Sequence, residues 1–456
     1  MRFADLAGRR VAVWGYGREG RAALAALHQR LPDLRPTLLC TAAEASTAQA
    51  LWGDAVECVS AEPYAGLLWT YDVVIKSPGI SAYAPTLIEA EAAGVKVTSG
   101  TALWFAENPH AKVIAVTGTK GKSTTSALIA HLLRGLGQRV ALAGNIGLPL
   151  LELLDTDAVV DRWVVELSSF QTREAGPVAV GVINNLYEEH LDWHGTRERY
   201  AQDKLVLAER AQILVANGLQ PELVARTEAH PARRLFGTPE GWHVRSGQIH
   251  RGDEALLPLA GLPLPGEHNA LNLCAALSAL ESVGADARAA LAHAATFRPL
   301  PHRLQTLGTS EGVTYVNDSI STTPQATIEA LRSLAGRKVT VLVGGFDRGL
   351  DWHAFRDHAR EHPPHAVIAL GANGARIATL LAEDGTPPFR LERCGSLADA
   401  VALARVATPL DGVVLLSPGA PSFDQFRDYA DRGRAFVQLA GFDPQAIAGI
   451  EGLGIA

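Results

Sequence analysis

Residues 113–125 read VIAVTGTKGKSTT, and the reading of the fold starts there. Val113, Ile114, Ala115 and Val116 make a short apolar run of the kind found in strands buried on both faces. Gly118 and Gly121 interrupt it, and a helix-compatible run follows over 126–136. The order strand, tight glycine loop, helix aims several backbone N–H groups and a helix N-terminus at one point, which attracts phosphate. Gly118, Thr119, Lys120, Gly121, Lys122, Ser123 and Thr124 are therefore the candidate phosphate cradle. Lys122 can reach terminal phosphates, and the Ser123 hydroxyl can take a place on Mg²⁺. Val116 stands where the common G-x-x-x-x-G-K-[ST] pattern has its first glycine. An ordinary βα turn is the plainer reading, and Gly-Lys-Ser-Thr at this junction argues against it.

Upstream, residues 10–20 (RVAVWGYGREG) run a strand into Gly15-x-Gly17-x-x-Gly20, with a helix expected over 21–29. This is a dinucleotide-fold fingerprint. The acid that would hold a nicotinamide nucleotide's ribose is missing, because the second strand, 36–39, ends in Cys40-Thr41. That counts against NAD but leaves a loop fit for another nucleotide's pyrophosphate. A third strand, 72–76, ends in Ser77-Pro78-Gly79-Ile80, and residues 104–111 read as a link.

Downstream, the strand in WVVELSSFQ (163–171) ends in Glu166, where a carboxylate beside Mg²⁺ would be useful; a helix-capping carboxylate is the even-odds alternative. The strand over 179–184 runs into Asn185-Leu186-Tyr187-Glu188-Glu189-His190-Leu191-Asp192. A histidine between acids at a strand end points to a metal or nucleotide contact, whereas His194 reads as structural. Residues 215–262 read as irregular or short strands, with a hairpin near 242–250. His268, Asn269 and Asn272 open a long apolar helix; Asn272 can bond an adenine edge, and Asn269 can simply cap. After the proline-rich stretch 297–303, βα alternation restarts, and each strand ends in small or hydroxylic residues.

The chain has 456 residues, about three domains' worth. An apolar fraction of 47% is ample for sizeable cores, and a net charge of -7 gives no reason to expect nucleic-acid binding. No apolar run approaches the roughly 20 residues of a membrane span. Cys40, Cys58, Cys274 and Cys394 lack metal or disulfide spacing and read as buried thiols of a cytoplasmic protein. Lysine occurs only at 76, 96, 112, 120, 122, 204 and 338. Arginine supplies the other cations, so a retained lysine suggests chemistry of its own, most strongly at Lys122 and Lys204. The plain alternative for Lys204 is a solvated helix face.

Several stretches together resemble the Mur ligase family over nearly the whole chain. They are Ser77-Pro78-Gly79-Ile80, TGTKGKSTT, Gly144-Asn145-Ile146-Gly147, Glu166-Leu167-Ser168-Ser169-Phe170-Gln171, Glu189-His190-Leu191-Asp192 and Tyr200-x-x-x-Lys204. Downstream of these come Gly266-x-His268-Asn269-x-x-Asn272, Pro301-His302-Arg303, Asn317-Asp318-Ser319 and Ser422-Phe423-Asp424-Gln425-Phe426. The resemblance implies three α/β domains: a Rossmann-like UDP-substrate domain over 1–109, a P-loop ATP-binding domain over 110–300 and a Rossmann-like glutamate-binding domain over 301–456. It implies an ATP-dependent ligase that adds D-glutamate to UDP-N-acetylmuramoyl-L-alanine through an acyl phosphate, a cytoplasmic step of peptidoglycan synthesis. ATP and Mg²⁺ would be required; the partners would be these small molecules alone, with no nucleic acid or membrane, and the protein would be a monomer.

The resemblance also assigns residues. Lys122 would steady the transferring phosphoryl group, Ser123 and Glu166 one Mg²⁺, and His190 with a carbamylated Lys204 a second. Asn272, Arg303 and Asp318 would contact ATP. Gly15, Tyr16, Gly17, Arg18, Thr41 and Ser77 would hold the UDP part, and Asn145, Ser168 and His190 the muramoyl-alanine part. Thr322, Ser422 and Phe423 would line the glutamate pocket. Ile320 stands where a D-glutamate ligase of the family is expected to carry lysine, so Arg348 is expected to grip the glutamate carboxylate, and the L-glutamate ligation stays open. A folylpolyglutamate-synthetase-like ligase is disfavoured by the GYGREG domain.

Overall fold

A computed structural model describes every residue except 157, 188, 261, 264, 265, 448 and 451. Glu188 and Pro265, touched by the sequence reading, lie outside the described residues. The chain forms two compact units, one of residues 1–262, 268–297 and 452–456, the other of 263–267 and 298–451.

The first unit holds one all-parallel sheet and one that is parallel except for its Gly454–Ile455 edge strand. The smaller has the order Glu57–Val59, Thr37–Leu39, Val11–Trp14, Val73–Lys76, Lys96–Thr98. All its neighbours are parallel, so both faces must be covered, and its central strands are almost wholly buried. The larger sheet runs Arg233–Phe236, Ala211–Asn217, Val178–Ile183, Val113–Thr117, Arg162–Glu166, Val140–Gly144, Gly454–Ile455. The phosphate-loop strand thus lies centrally, with Glu166 ending the strand on one side of it and Asn184 following the strand on the other. An antiparallel three-stranded sheet spans Trp242–Arg245, Gln248–Arg251 and Glu254–Pro258.

The second unit is one sheet, ordered Gln305–Ser310, Val313–Asn317, Val413–Leu416, Val339–Val343, Ala366–Ala369, Arg390–Arg393, with only its first strand antiparallel.

Four local readings change. Residues Gly100–Glu107 are a helix, not a link: Ser99 caps it by accepting from the Ala102 N–H, and Trp104 is fully buried. The helix after the phosphate loop is Lys122–Gly135, so it begins inside the motif. Within 215–262, read as irregular or short strands, Pro221–Arg226 is a helix, and the stretch opens on the end of an inner strand, Ala211–Asn217. Of the cysteines, only Cys274 is buried; the other three are half-buried.

Candidate active site

The phosphate loop is shaped by what packs beneath it. Gly121 takes φ +81°, and a Cβ there would come within 2.3 Å of Asn272 Oδ1; a glycine is required on both counts. Thr119 donates its backbone N–H to the Asn185 carbonyl, and its hydroxyl lies 2.7 Å from Tyr200 Oη. The Lys120 N–H bonds Asn185 Oδ1 at 2.7 Å, while its ammonium pairs with Glu189 at 2.7 Å. Lys122 Nζ donates to the Thr119 carbonyl at 3.0 Å. Ser123 is half-buried and Thr124 buried in the first turn of the helix.

Asn272 lies under this loop. It is buried, and its Oδ1 accepts from Thr125 Oγ1 at 3.3 Å and Asn184 Nδ2 at 3.4 Å. Its Oδ1 thus ties the Lys122–Gly135 and Glu267–Ser282 helices together beneath the loop. Asn184, absent from the sequence reading, joins the same cluster: its Nδ2 donates to Thr125 Oγ1 at 2.8 Å.

Lys204 is 2% exposed, which overturns the solvated-face reading. Its Nζ donates to the Gly118 carbonyl at 2.9 Å and lies 4.9 Å from the centre of the Tyr200 ring. Burial, with repulsion from Lys122, holds its amine well below the usual lysine range, against the pull of Glu189 and Glu166. The helix Arg197–Arg210 carries it inward because Tyr200, Ala201, Asp203 and Leu207 form that helix's buried face.

Glu166 is buried at the end of its strand. One carboxylate oxygen accepts from Asn145 Nδ2 at 2.7 Å; the other is buried with no hydrogen-bond partner. An orphaned anionic oxygen close to a phosphate cradle suits a divalent cation, and Mg²⁺ takes only one or two carboxylates alongside phosphate oxygens. Among the described residues, no three His, Cys, Asp or Glu side chains cluster as an all-protein metal cage. Ser168 donates its hydroxyl to Gln171 Oε1 at 2.8 Å. His190 is half-exposed and has φ +57°. His194 is structural as read, fully buried between Asp203 and Ser169.

In the small sheet, the Tyr16 hydroxyl accepts from Trp52 Nε1 at 3.2 Å, and Ser77 Oγ donates to the Gly15 carbonyl at 3.4 Å. Gly17 caps the helix that begins at Arg18, and Arg18 Nη1 donates to the Gly147 carbonyl at 3.0 Å, joining GYGREG to the loop of Asn145. Thr41 caps the helix Ala42–Trp52 in a capping box with Glu44. Glu19, not singled out by sequence, is pushed up to about 7 by burial and by Glu152, Arg18 opposing.

In the second unit, Asp318 is buried; it accepts from Ser417 Oγ at 2.8 Å and the Leu304 N–H at 3.1 Å. Burial raises it to about 7, the hydrogen bonds, Arg303 and Arg432 opposing. Arg303 Nε is buried without a partner. The loop carrying Arg348 meets the loop carrying Ser422: Gly344 N–H bonds the Pro418 carbonyl at 2.7 Å, and Phe346 N–H bonds that of Pro421 at 2.9 Å. Ser422 is buried; Arg348 and Phe423 are exposed and Thr322 half-buried. Arg432, missed by sequence, is buried behind them and donates to Ser319 Oγ, the Ser319 carbonyl and the Ala420 carbonyl at 2.8–3.0 Å.

A phosphate loop with a buried amine behind it and an orphaned carboxylate beside it defines a class, the α/β enzymes that work on nucleotide phosphates. The particular family follows from similarity. The Mur ligase middle domain matches residues 116–280, and the Mur ligase glutamate ligase domain matches residues 302–419. The UDP-N-acetylmuramoyl-L-alanine--L-glutamate ligase of Xanthomonas axonopodis pv. citri (strain 306) is 49% identical, covering 100% of both chains. The enzyme of the same name from Salinispora tropica is 43% identical over 96% of this chain and 98% of its own. In fold, the UDP-N-acetylmuramate-alanine ligase MurC of Thermotoga maritima superposes with a TM-score of 0.60 at 19% identity, over 94% of this chain and 98% of that one. MurF from Acinetobacter baumannii (crystal structure II) gives 0.57 at 18%, over 77% and 88%. The chain belongs to the Mur ligase family, and it is an ATP-dependent ligase of the acid–amino-acid type. Among the described residues, no helix is long and apolar enough to cross a membrane.

Proposed function

We propose that this enzyme joins L-glutamate to UDP-N-acetylmuramoyl-L-alanine at the expense of ATP, a cytoplasmic step of peptidoglycan precursor synthesis carried out by a monomer. The observation that carries the reading is Lys204, a buried amine held on the Gly118 carbonyl of the phosphate loop. A neutral lysine amine can add CO₂, forming an N–C bond and releasing one proton, and the resulting carbamate is an anion that arginine could not provide.

The chemistry is two displacements. The alanine carboxylate attacks the γ-phosphorus and ADP leaves; the glutamate amine then attacks the acyl carbon, loses a proton, and inorganic phosphate leaves. Both steps depend on positioning and on neutralising oxygen charge. Lys122 and the N–H groups of 118–124 would hold the phosphates. Ser123 and Glu166 would hold one Mg²⁺ and His190 with carbamylated Lys204 another, the ions neutralising phosphate charge. Asn145 and Ser168 would meet the muramoyl-alanine part, with Gly15, Tyr16, Gly17, Arg18, Thr41 and Ser77 on the UDP side. Asn272, Arg303 and Asp318 would meet ATP. Thr322, Arg348, Ser422 and Phe423 would take glutamate. The three regions 1–109, 110–300 and 301–456 would serve as acceptor, ATP and amino-acid domains.

The choice of isomer rests on two supports. The relatives above are named for L-glutamate. Ile320 replaces the lysine expected of a D-glutamate ligase, and its N–H is held by the His302 carbonyl at 3.1 Å. Phosphate release measured with UDP-N-acetylmuramoyl-L-alanine and L- or D-glutamate decides the matter. Turnover with L-glutamate alone is expected; turnover with D-glutamate alone restores the D reading, and turnover with neither removes both.

A further inference from the structure

His194 forms a hydrogen-bonded chain that the reaction outlined above does not use. Ser169, His194 and Asp203 are 2%, 0% and 3% exposed. His194 Nδ1 lies 2.7 Å from Asp203 Oδ2, and Nε2 lies 2.9 Å from Ser169 Oγ. Since a carboxylate accepts, Nδ1 carries the proton and Nε2 accepts from the serine hydroxyl. The pattern is that of a Ser–His–Asp triad, but a serine so deeply buried cannot reach a substrate. Its use must be mechanical.

What it holds is His190. The N–H groups of Trp193 and His194 both donate to the His190 carbonyl at 3.1 Å. His190 has φ +57°, a conformation a residue with a Cβ keeps only where its surroundings enforce it. Phe170, next to Ser169, stacks on His194 (centroids 5.6 Å apart, 27°) and Trp193 (4.7 Å, 29°), and lies 5.1 Å from the His190 ring. Asp203 is itself fixed by the Tyr83 hydroxyl at 2.8 Å and is the neighbour of Lys204. Trp193 Nε1 donates to the Pro78 carbonyl at 3.0 Å, and Ser81 Oγ to the Trp193 carbonyl at 2.6 Å, so the turn is also pinned to the loop after Ser77.

We propose that Ser169, His194 and Asp203 are positioning residues that lock His190 in its left-handed backbone, tying the Glu166–Gln171 segment and the Lys204 helix to that one imidazole. This rests on the reading of His190 as a Mg²⁺ ligand. The test is Mg²⁺ binding measured by titration calorimetry, beside the Mg²⁺ dependence of phosphate release, in the whole chain carrying His194→Ala, Ser169→Ala or Asp203→Asn. The half-saturating Mg²⁺ concentration should rise about tenfold, as outer-shell changes at metal sites do, while the KM for ATP in Ser169→Ala and Asp203→Asn stays within about twofold, because neither side chain bonds residues 118–124, whereas His194 packs on Tyr200, which reaches Thr119. Should His194→Ala fail to fold by circular dichroism, the milder Ser169→Ala carries the test. An unchanged Mg²⁺ dependence in a folded Ser169→Ala or Asp203→Asn overturns the lock, as does an equal rise in the KM for ATP. Wild-type turnover with the two substrates reports on the functional reading by itself, and the variant-to-wild-type ratio reports on the lock.

Discussion

Lys204 in the first unit and Arg432 in the second are both buried cations, and the two are handled in opposite ways. Lys204 in the first unit donates to the Gly118 carbonyl, and burial drives its amine well below the usual range. Arg432 in the second donates three, to Ser319 and Ala420, and burial lowers it only to about 10. Arg432 is therefore a charged brace at neutral pH, holding the loop after Asn317 to the loop carrying Ser422. Lys204 has few ties and a depressed pKa, the state in which an amine is free to react. The contrast shows that burial alone does not assign a role: the number of fixed donors and the acidity of the head group do.

The contrast breaks first at Lys204. Lys204→Ala should lose roughly 10³-fold in turnover, partly restored by added short carboxylates, and Lys204→Arg should fare no better. Full activity in either variant ends the reactive-amine reading. Arg432→Met should instead destabilise the second unit by about 3 kcal/mol, because it strands the carbonyls of Ser319 and Ala420; urea unfolding that matches the wild type would show the brace to be idle.

Two titrations in the second unit sharpen the point. Burial raises Asp318 to about 7, so between pH 3.8 and 7 the folded chain holds more protons than the unfolded one, and stability falls as pH rises. Burial and Arg434 lower His302 to about 4, so between about 4 and 6.5 the folded chain holds fewer, and stability rises with pH. Asp318 is worth about 4 kcal/mol and His302 about 3 kcal/mol, and between about pH 4 and 6.5 the two slopes oppose each other. Asp318→Asn should expose the His302 slope, with stability climbing by about 2–3 kcal/mol from pH 4 to 6.5; a flat curve in this variant refutes the pairing. The smallest effect is expected at the exposed Arg348: Arg348→Ala should raise the KM for glutamate about tenfold and leave that for ATP unchanged. An unchanged glutamate KM removes Arg348 from the pocket.

Much of the site was legible because its chemistry is local. The phosphate loop, the strand-end position of Glu166 and the lone Lys204 each announce themselves within a few residues. The partners that shape them did not. Asn184 and Asn272 meet under Gly121 from positions 88 residues apart, and Arg432 reaches Ser319 across 113. Nothing in the spacing of such residues marks them, since only packing brings their polar groups together. The misread helix Gly100–Glu107 has the same cause: its apolar residues carry no clean amphipathic stripe, as it is buried on most sides.

The sequence by itself determined the repeated βα order, the strand, glycine loop and helix at 113–125 and the family, because strand burial, glycine turns and motif order are written along the chain. Only the tertiary structure decided that Lys204 is buried, that Asn272 ties two helices together beneath the loop and that His194 is clamped between Asp203 and Ser169. Those depend on which helix face the core accepts and on which distant polar groups must satisfy one another once water is gone.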